Sequence, residues 1–211
     1  MPKVVDPEAR RRAVIDALFR VVVRDGLQRA SLRAVADEAG LNIGSLRHYF
    51  ASQGELMDFA MRSMLDRVTA RLERRVARAG DLAGLPREER VRLVTELLEE
   101  LLPLDEQRRA EVTVFLDFNG AARTNPAFRP LAHQAATGTR KLVHLAVSRL
   151  ERAGALRPGL DPEAETERLT SLLDGLCLNA VLHPEVLAPE GCAAVLRAHV
   201  RELSGVAYGE G

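Results

Sequence analysis

Apolar residues recur along this chain at helical spacing, and the sustained alternation that strands need is absent. The first stretch predicts a helix from about Pro7 to Asp25, with Asp6 as N-cap and Pro7 at the first helical position. Val14, Ile15, Leu18, Phe19, Val22 and Val23 form its apolar stripe, and Gly26 ends it where a left-handed cap is cheapest. Ser31 caps a short second helix in which Leu32, Val35, Ala36 and Ala39 share a face, and Gly40 breaks it. Asn42 is an N-cap for a third helix, Ile43 to Phe50, with Leu46, Tyr49 and Phe50 turned inward. The run Ser52-Gln53-Gly54-Glu55 matches a capping box and starts a long fourth helix reaching about Ala79.

The stretch Gly80–Pro86 interrupts this pattern, and five more helices are expected after it: Arg87–Leu102, Asp105–Arg123, Pro126–Ala153, Pro162–Leu182 and Pro189–Leu203. Pro126, Pro162 and Pro189 fall at helix starts, where proline loses nothing. The tail from Ser204 is expected to be loose. The fold class is therefore all-α, with a small domain over 1–52 and a larger domain over 53–211, the helix 53–79 connecting them.

The segment from Ser31 to Phe50 has what a helix-turn-helix requires. Two short helices meet at a glycine, and the small Ala36 and Ala39 let them pack closely. With one face of its second helix buried, Ile43, Gly44, Ser45, Arg47 and His48 point outward. Arg47 and His48 can donate to base edges or phosphates in the major groove. From spacing alone, a plain helical hairpin inside a larger bundle fits as well.

The distribution of charge is uneven. The net charge is zero, yet residues 1–80 carry 15 Lys and Arg against 10 Asp and Glu, and residues 81–211 carry 15 against 20. A basic front and acidic rear suit a protein that presents one end to a polyanion. Cys177 and Cys192 are the only cysteines, without a CxxC pattern, which fits a reducing compartment. No apolar run approaches the roughly 20 residues of a membrane span, so a cytoplasmic location is expected. The five histidines show no metal spacing, nucleotide-binding and hydrolase motifs are absent, and neither catalysis nor a cofactor is expected.

The phrase Gly44-Ser-Leu-Arg-His-Tyr-Phe50, followed by Ser52-Gln-Gly-Glu-Leu56, resembles the N-terminal signature of the TetR family of regulators over about residues 8–60. The resemblance implies DNA contacts from Ser31, Arg33, Asn42, Ile43, Gly44, Ser45, Arg47, His48, Tyr49 and Gln53, with the Tyr49 hydroxyl on a phosphate. Relatives often carry lysine at the position of Gln53, which here releases no counterion. Further on, Leu102–Glu111, the Ala122–Pro126 turn and Leu172–Leu176 resemble the C-terminal domain of the BetI-like subgroup. Relatives often have tryptophans early in the sixth helix, whereas this chain has none and offers Val112, Val114 and Phe115.

The resemblance implies a repressor released from a pseudo-palindromic operator by a small molecule; a DNA-binding or scaffolding protein without an effector is the alternative. Phe115, Phe118 and Asn119 are candidates for an effector pocket, or else core residues and a helix-surface amide. Glu111 and Asp117 favour a cationic or polar ligand only if they face that cavity. On the seventh helix, His133, Thr137, Arg140, His144 and Ser148 form a polar face, either solvated or a pocket wall or dimer rim. Leu169, Leu172, Leu173 and Leu176 of the eighth helix, with Leu196 and Val200 of the ninth, are expected to form a homodimer interface, or to pack within one subunit.

Overall fold

The structure, a computed structural model, describes residues 7–205 except Ala83. Among them are nine α-helices and no strand: α1 (Pro7–Asp25), α2 (Leu32–Glu38), α3 (Ile43–Tyr49), α4 (Gln53–Ala79), α5 (Arg87–Glu99), α6 (Glu106–Ala122), α7 (Arg129–Arg152), α8 (Pro162–Leu182) and α9 (Pro189–Ser204). Short 3-10 turns cover Leu27–Arg29 and Pro126–Phe128. The all-α expectation holds, with helix ends moved by a few residues, as fraying and capping allow. The expected cap Asp6 and the tail after Gly205 lie outside the described residues.

By packing, the chain forms two compact units, one of residues 1–66 and 113–132, the other of 67–112 and 133–211. This grouping differs from the division at residue 52 because the first half of α4 and the second half of α6 both pack with the N-terminal helices. In the first unit, α1 buries Val14, Ala17, Leu18, Val21 and Val22, whereas Val23 is nearly half exposed. Val23 was expected in the stripe, but at 100° per residue it falls beyond the face that Val21 and Val22 define. Val35, Ala36, Leu46, Leu56 and Met61 are buried in the same unit. Phe118, almost fully buried, packs on Phe128 with ring centroids 4.9 Å apart.

The second unit has one apolar core. Val91, Val94, Leu98 and Leu102, Val143, Val147 and Leu150, Leu169, Leu173 and Leu176, and Leu196, Val200 and Leu203 converge in it from α5, α7, α8 and α9 and their connections. Leu169, Leu173, Leu176, Leu196 and Val200 are thus buried inside the subunit. Of the six residues expected at the dimer interface only Leu172 is half-buried. The outward side of the same helices carries Leu178, Leu182 and Val195, with Val186 between them, all exposed.

Candidate nucleic-acid interface

Local chemistry fixes the start of both short helices. Ser31 Oγ accepts the Ala34 N–H at 3.2 Å, and Asn42 Oδ1 accepts the Ser45 N–H at 2.7 Å, each occupying a donor left free in a first helical turn. Between them Gly40 sits at φ +65°, and the Leu41 N–H returns to the Ala36 carbonyl at 2.9 Å, closing α2 and reversing the chain. A β-carbon at Gly44 would lie 3.3 Å from Asn42 Oδ1, tight against the cap. At the start of α4, Ser52 Oγ accepts the Glu55 N–H at 3.1 Å. The Glu55 carboxylate reaches the Ala51 N–H at 2.8 Å, one residue earlier than the usual capping box.

Salt bridges lock α2 onto α1. Glu38 is held by Arg20 at 2.6 Å and Arg24 at 2.9 Å, and the two guanidiniums hold its carboxyl below the usual carboxylate range. With α2 packed on α1 and α3 on α2, α3 buries Leu46 while Arg47 and His48 stay exposed and Tyr49 is half-buried. The Tyr49 ring meets His48 edge-on, centroids 5.7 Å apart. Ser31, Arg33, Asn42, Gly44 and Gln53 are exposed; Ile43 and Ser45 are half-buried. All ten residues named for DNA contact thus retain accessible surface on one capped two-helix unit or at the start of α4. The caps use the Ser31 and Asn42 side-chain oxygens as acceptors and leave the Ser31 O–H and the Asn42 amide N–H groups their donor capacity.

The other candidate groups have different roles. Asn119 Nδ2 donates to the Phe115 carbonyl at 2.8 Å within its own helix, Phe118 is core, and Asn119 and Phe115 are half-buried. Glu111 is buried and bound to Arg71 at 2.8 Å, and Asp117 accepts the backbone N–H of Leu27 at 3.0 Å, so neither carboxylate is an open anchor. A cavity of about 430 Å³ lies in the second unit instead, lined by Gly80, Asp81, Leu82, Arg149, Arg152 and Ala153. On α7, Arg140 pairs with Glu163 and Glu167 of α8, and His144 Nδ1 lies 3.5 Å from Glu163. His144 Nε2 also lies 3.3 Å from Ser148 Oγ, the order of a hydrolase triad. The group sits on the exposed face of α7, where the backbone N–H groups are spent on helical bonds and offer no donor to an oxyanion.

Both cysteines are free thiols. Burial, aided by Asp174 and Cys192, pushes the Cys177 thiol up to about 12, and burial also raises Cys192. Protonated thiols of this kind are poor nucleophiles and do not begin disulfide exchange. Among the described residues no group of His, Cys, Asp and Glu is arranged to hold a metal, and no helix is long and apolar enough to cross a membrane.

A capped helix-turn-helix followed by an all-helical second unit defines the class: a two-part DNA-binding transcriptional regulator. The comparisons with known proteins agree. Residues 14–58 match the model for bacterial regulatory proteins of the tetR family, and residues 86–205 match that for the C-terminal domain of BetI-type transcriptional repressors. The chain belongs to the TetR family, with a BetI-type C-terminal domain. It is 35% identical over 204 residues to the HTH-type transcriptional regulator PksA of Bacillus subtilis (strain 168), covering 96% of this chain and 94% of that protein. It is 33% identical to the regulator BetI of Burkholderia thailandensis, covering 86% and 87%. The crystal structure of a transcriptional regulator from Rhodococcus sp. Rha1 superposes with a TM-score of 0.74 at 28% identity, covering 92% of this chain and 95% of that one.

Proposed function

We propose that this regulator represses transcription by binding a two-fold symmetric operator as a homodimer, and that a small molecule taken up by its second unit releases it. The observation that carries the reading is the exposed Arg47–His48 pair on a helix capped at Asn42 and anchored by the buried Leu46. A rigid helix with donors on its free face is what major-groove reading needs. Ser31, Arg33, Tyr49 and Gln53 are assigned to phosphates, Arg47 and His48 to base edges, and Ile43, Gly44 and Ser45 to close approach.

The second subunit is assigned to the outward face of α8 and α9. Ser171, Gly175, Leu178 and Leu182 recur there at helical spacing, joined by Val195. Gly175 has nothing from its own subunit within 4 Å of where a β-carbon would be, so that face is open to a partner. Two helices from each subunit then form a four-helix contact.

Two experiments test the reading. Duplexes selected from a random pool by the wild-type protein should converge on an inverted repeat, and Arg47→Ala should bind the selected site about 1–3 kcal/mol more weakly. Wild-type affinity in that variant would remove Arg47 from base reading. A thermal-shift screen of small molecules should find compounds that raise the melting temperature, by linkage, and that also detach the selected duplex. Compounds that stabilise the protein without detaching DNA would speak for a regulator that is not effector-released.

A further inference from the structure

Asp117 lies in the half of α6 that packs with the N-terminal helices, although it is far in sequence from the helix-turn-helix. Its carboxylate accepts the backbone N–H of Leu27 at 3.0 Å. That amide is a special donor. Gly26 before it has φ +82° and ψ 160°, a conformation essentially reserved for glycine, so the chain leaves α1 abruptly. The neighbouring amides are satisfied locally: Gly26 N–H by the Val22 carbonyl at 2.8 Å, Arg29 N–H by Gly26 at 3.2 Å and Ala30 N–H by Leu27 at 3.2 Å. The Leu27 N–H takes an acceptor from outside the turn, and its side chain is buried. A partly buried donor needs such a partner, since leaving it unpaired is costly.

The placement of Leu27 is also the placement of the reading helices. Four residues on, Ser31 caps α2 with its side chain, and its carbonyl accepts the Val35 N–H at 3.0 Å. The Gly40 turn carries that orientation into α3. The other half of α6 holds Glu111, bound to Arg71.

We propose that Asp117 is a positioning residue for DNA reading: by holding the Leu27 amide it fixes the turn from which α2 and α3 depart. The proposal rests on the assignment of α3 as the reading helix, and on a bond within the first unit. It predicts a defect in discrimination between sites, which a loss of stability alone would not produce.

The test compares Asp117→Ala, Asp117→Asn and Asp117→Glu with wild type on a duplex selected by the wild type and on a random duplex, alongside amide exchange at Leu27 without DNA. Losing one hydrogen bond corresponds to about a tenfold effect. Asp117→Ala should therefore exchange the Leu27 amide and release the selected duplex about tenfold more readily, with random-duplex affinity little changed. Asp117→Asn, whose side-chain oxygen accepts the same bond, should behave as wild type. Asp117→Glu keeps the charge but moves the acceptor by one methylene, so it should lose discrimination while keeping its melting temperature; it decides the matter if Asp117→Ala does not fold. Wild-type discrimination in both Asp117→Ala and Asp117→Glu would overturn the proposal. So would equal losses on both duplexes that track a fall in melting temperature. If the wild type enriches no duplex at all, the reading assignment fails and the proposal fails with it.

Discussion

Arg71→Met should destabilise the protein by about 3–5 kcal/mol, the usual cost of removing one partner from a buried ion pair, read as a lower denaturant midpoint. Arg71 leaves α4 and reaches two nearly buried carboxylates, Glu100 at 2.9 Å and Glu111 at 2.8 Å, and also donates to the Glu100 carbonyl at 3.3 Å. Burial alone lowers the tendency of its guanidinium to stay charged, but the Glu111 hydrogen bond and the Glu111, Glu100 and Asp105 charges outweigh this and raise its pKa. Glu100 caps the C-terminal end of α5, where the helix dipole disfavours an anion. Its own support is broader, since Arg75 binds it at 2.8 Å. After Arg71→Met, Glu100 keeps Arg75, whereas Glu111 keeps the weaker amide of Gln107 at 3.1 Å. The loss should therefore concentrate on Glu111. Arg71→Met combined with Glu111→Leu should recover most of the stability, because an apolar pair of similar volume replaces a buried ion pair at little cost. A double variant as unstable as the single one would show that the cost lay in packing of the arginine stem instead.

The helix-turn-helix was legible because its signals are local. A cap is read from one residue and its neighbours, and Ser31, Asn42 and Ser52 each take the donors their positions predict. Proline at the start of α8 and α9 marked those boundaries for the same reason. What stayed hidden was non-local. The 3-10 turn at Leu27–Arg29 is too short to carry a period, and its acceptor on Asp117 lies 90 positions away. Arg71 and Glu111 are 40 apart, and nothing in either neighbourhood announces the other. Phe118 and Asn119 were ambiguous for a different reason: an aromatic and an amide on one helix face look the same in sequence whether they line a ligand or pack on Phe128 and the backbone. For α8, periodicity identified a buried face correctly but could not say what buries it. Leu169, Leu173 and Leu176 go to the subunit's own core, while Leu178 and Leu182 remain outside.

That distinction gives opposite outcomes for two glutamates placed five residues apart. Leu173 is 2% exposed in the core formed by α5, α7, α8 and α9, and Leu178 is 45% exposed on the other side of α8. Leu173→Glu puts an unpaired carboxylate where only apolar side chains surround it, and desolvating such a charge costs several kcal/mol even after relaxation. A typical domain is stable by about 5–15 kcal/mol in total, so this variant should melt far below wild type or fail to fold, whatever its oligomeric state. Leu178→Glu leaves the charge in water within one subunit and should keep the helical circular dichroism and cooperative melting of a folded chain. Its cost appears only if a second copy covers it, as two like charges brought together in an apolar contact. Sedimentation should then find a folded monomer, with binding to an inverted repeat weakened far more than binding to a half-site. A folded, fully dimeric Leu178→Glu protein would move the subunit contact off this face. A well-folded Leu173→Glu protein would contradict the placement of Leu173 in the core.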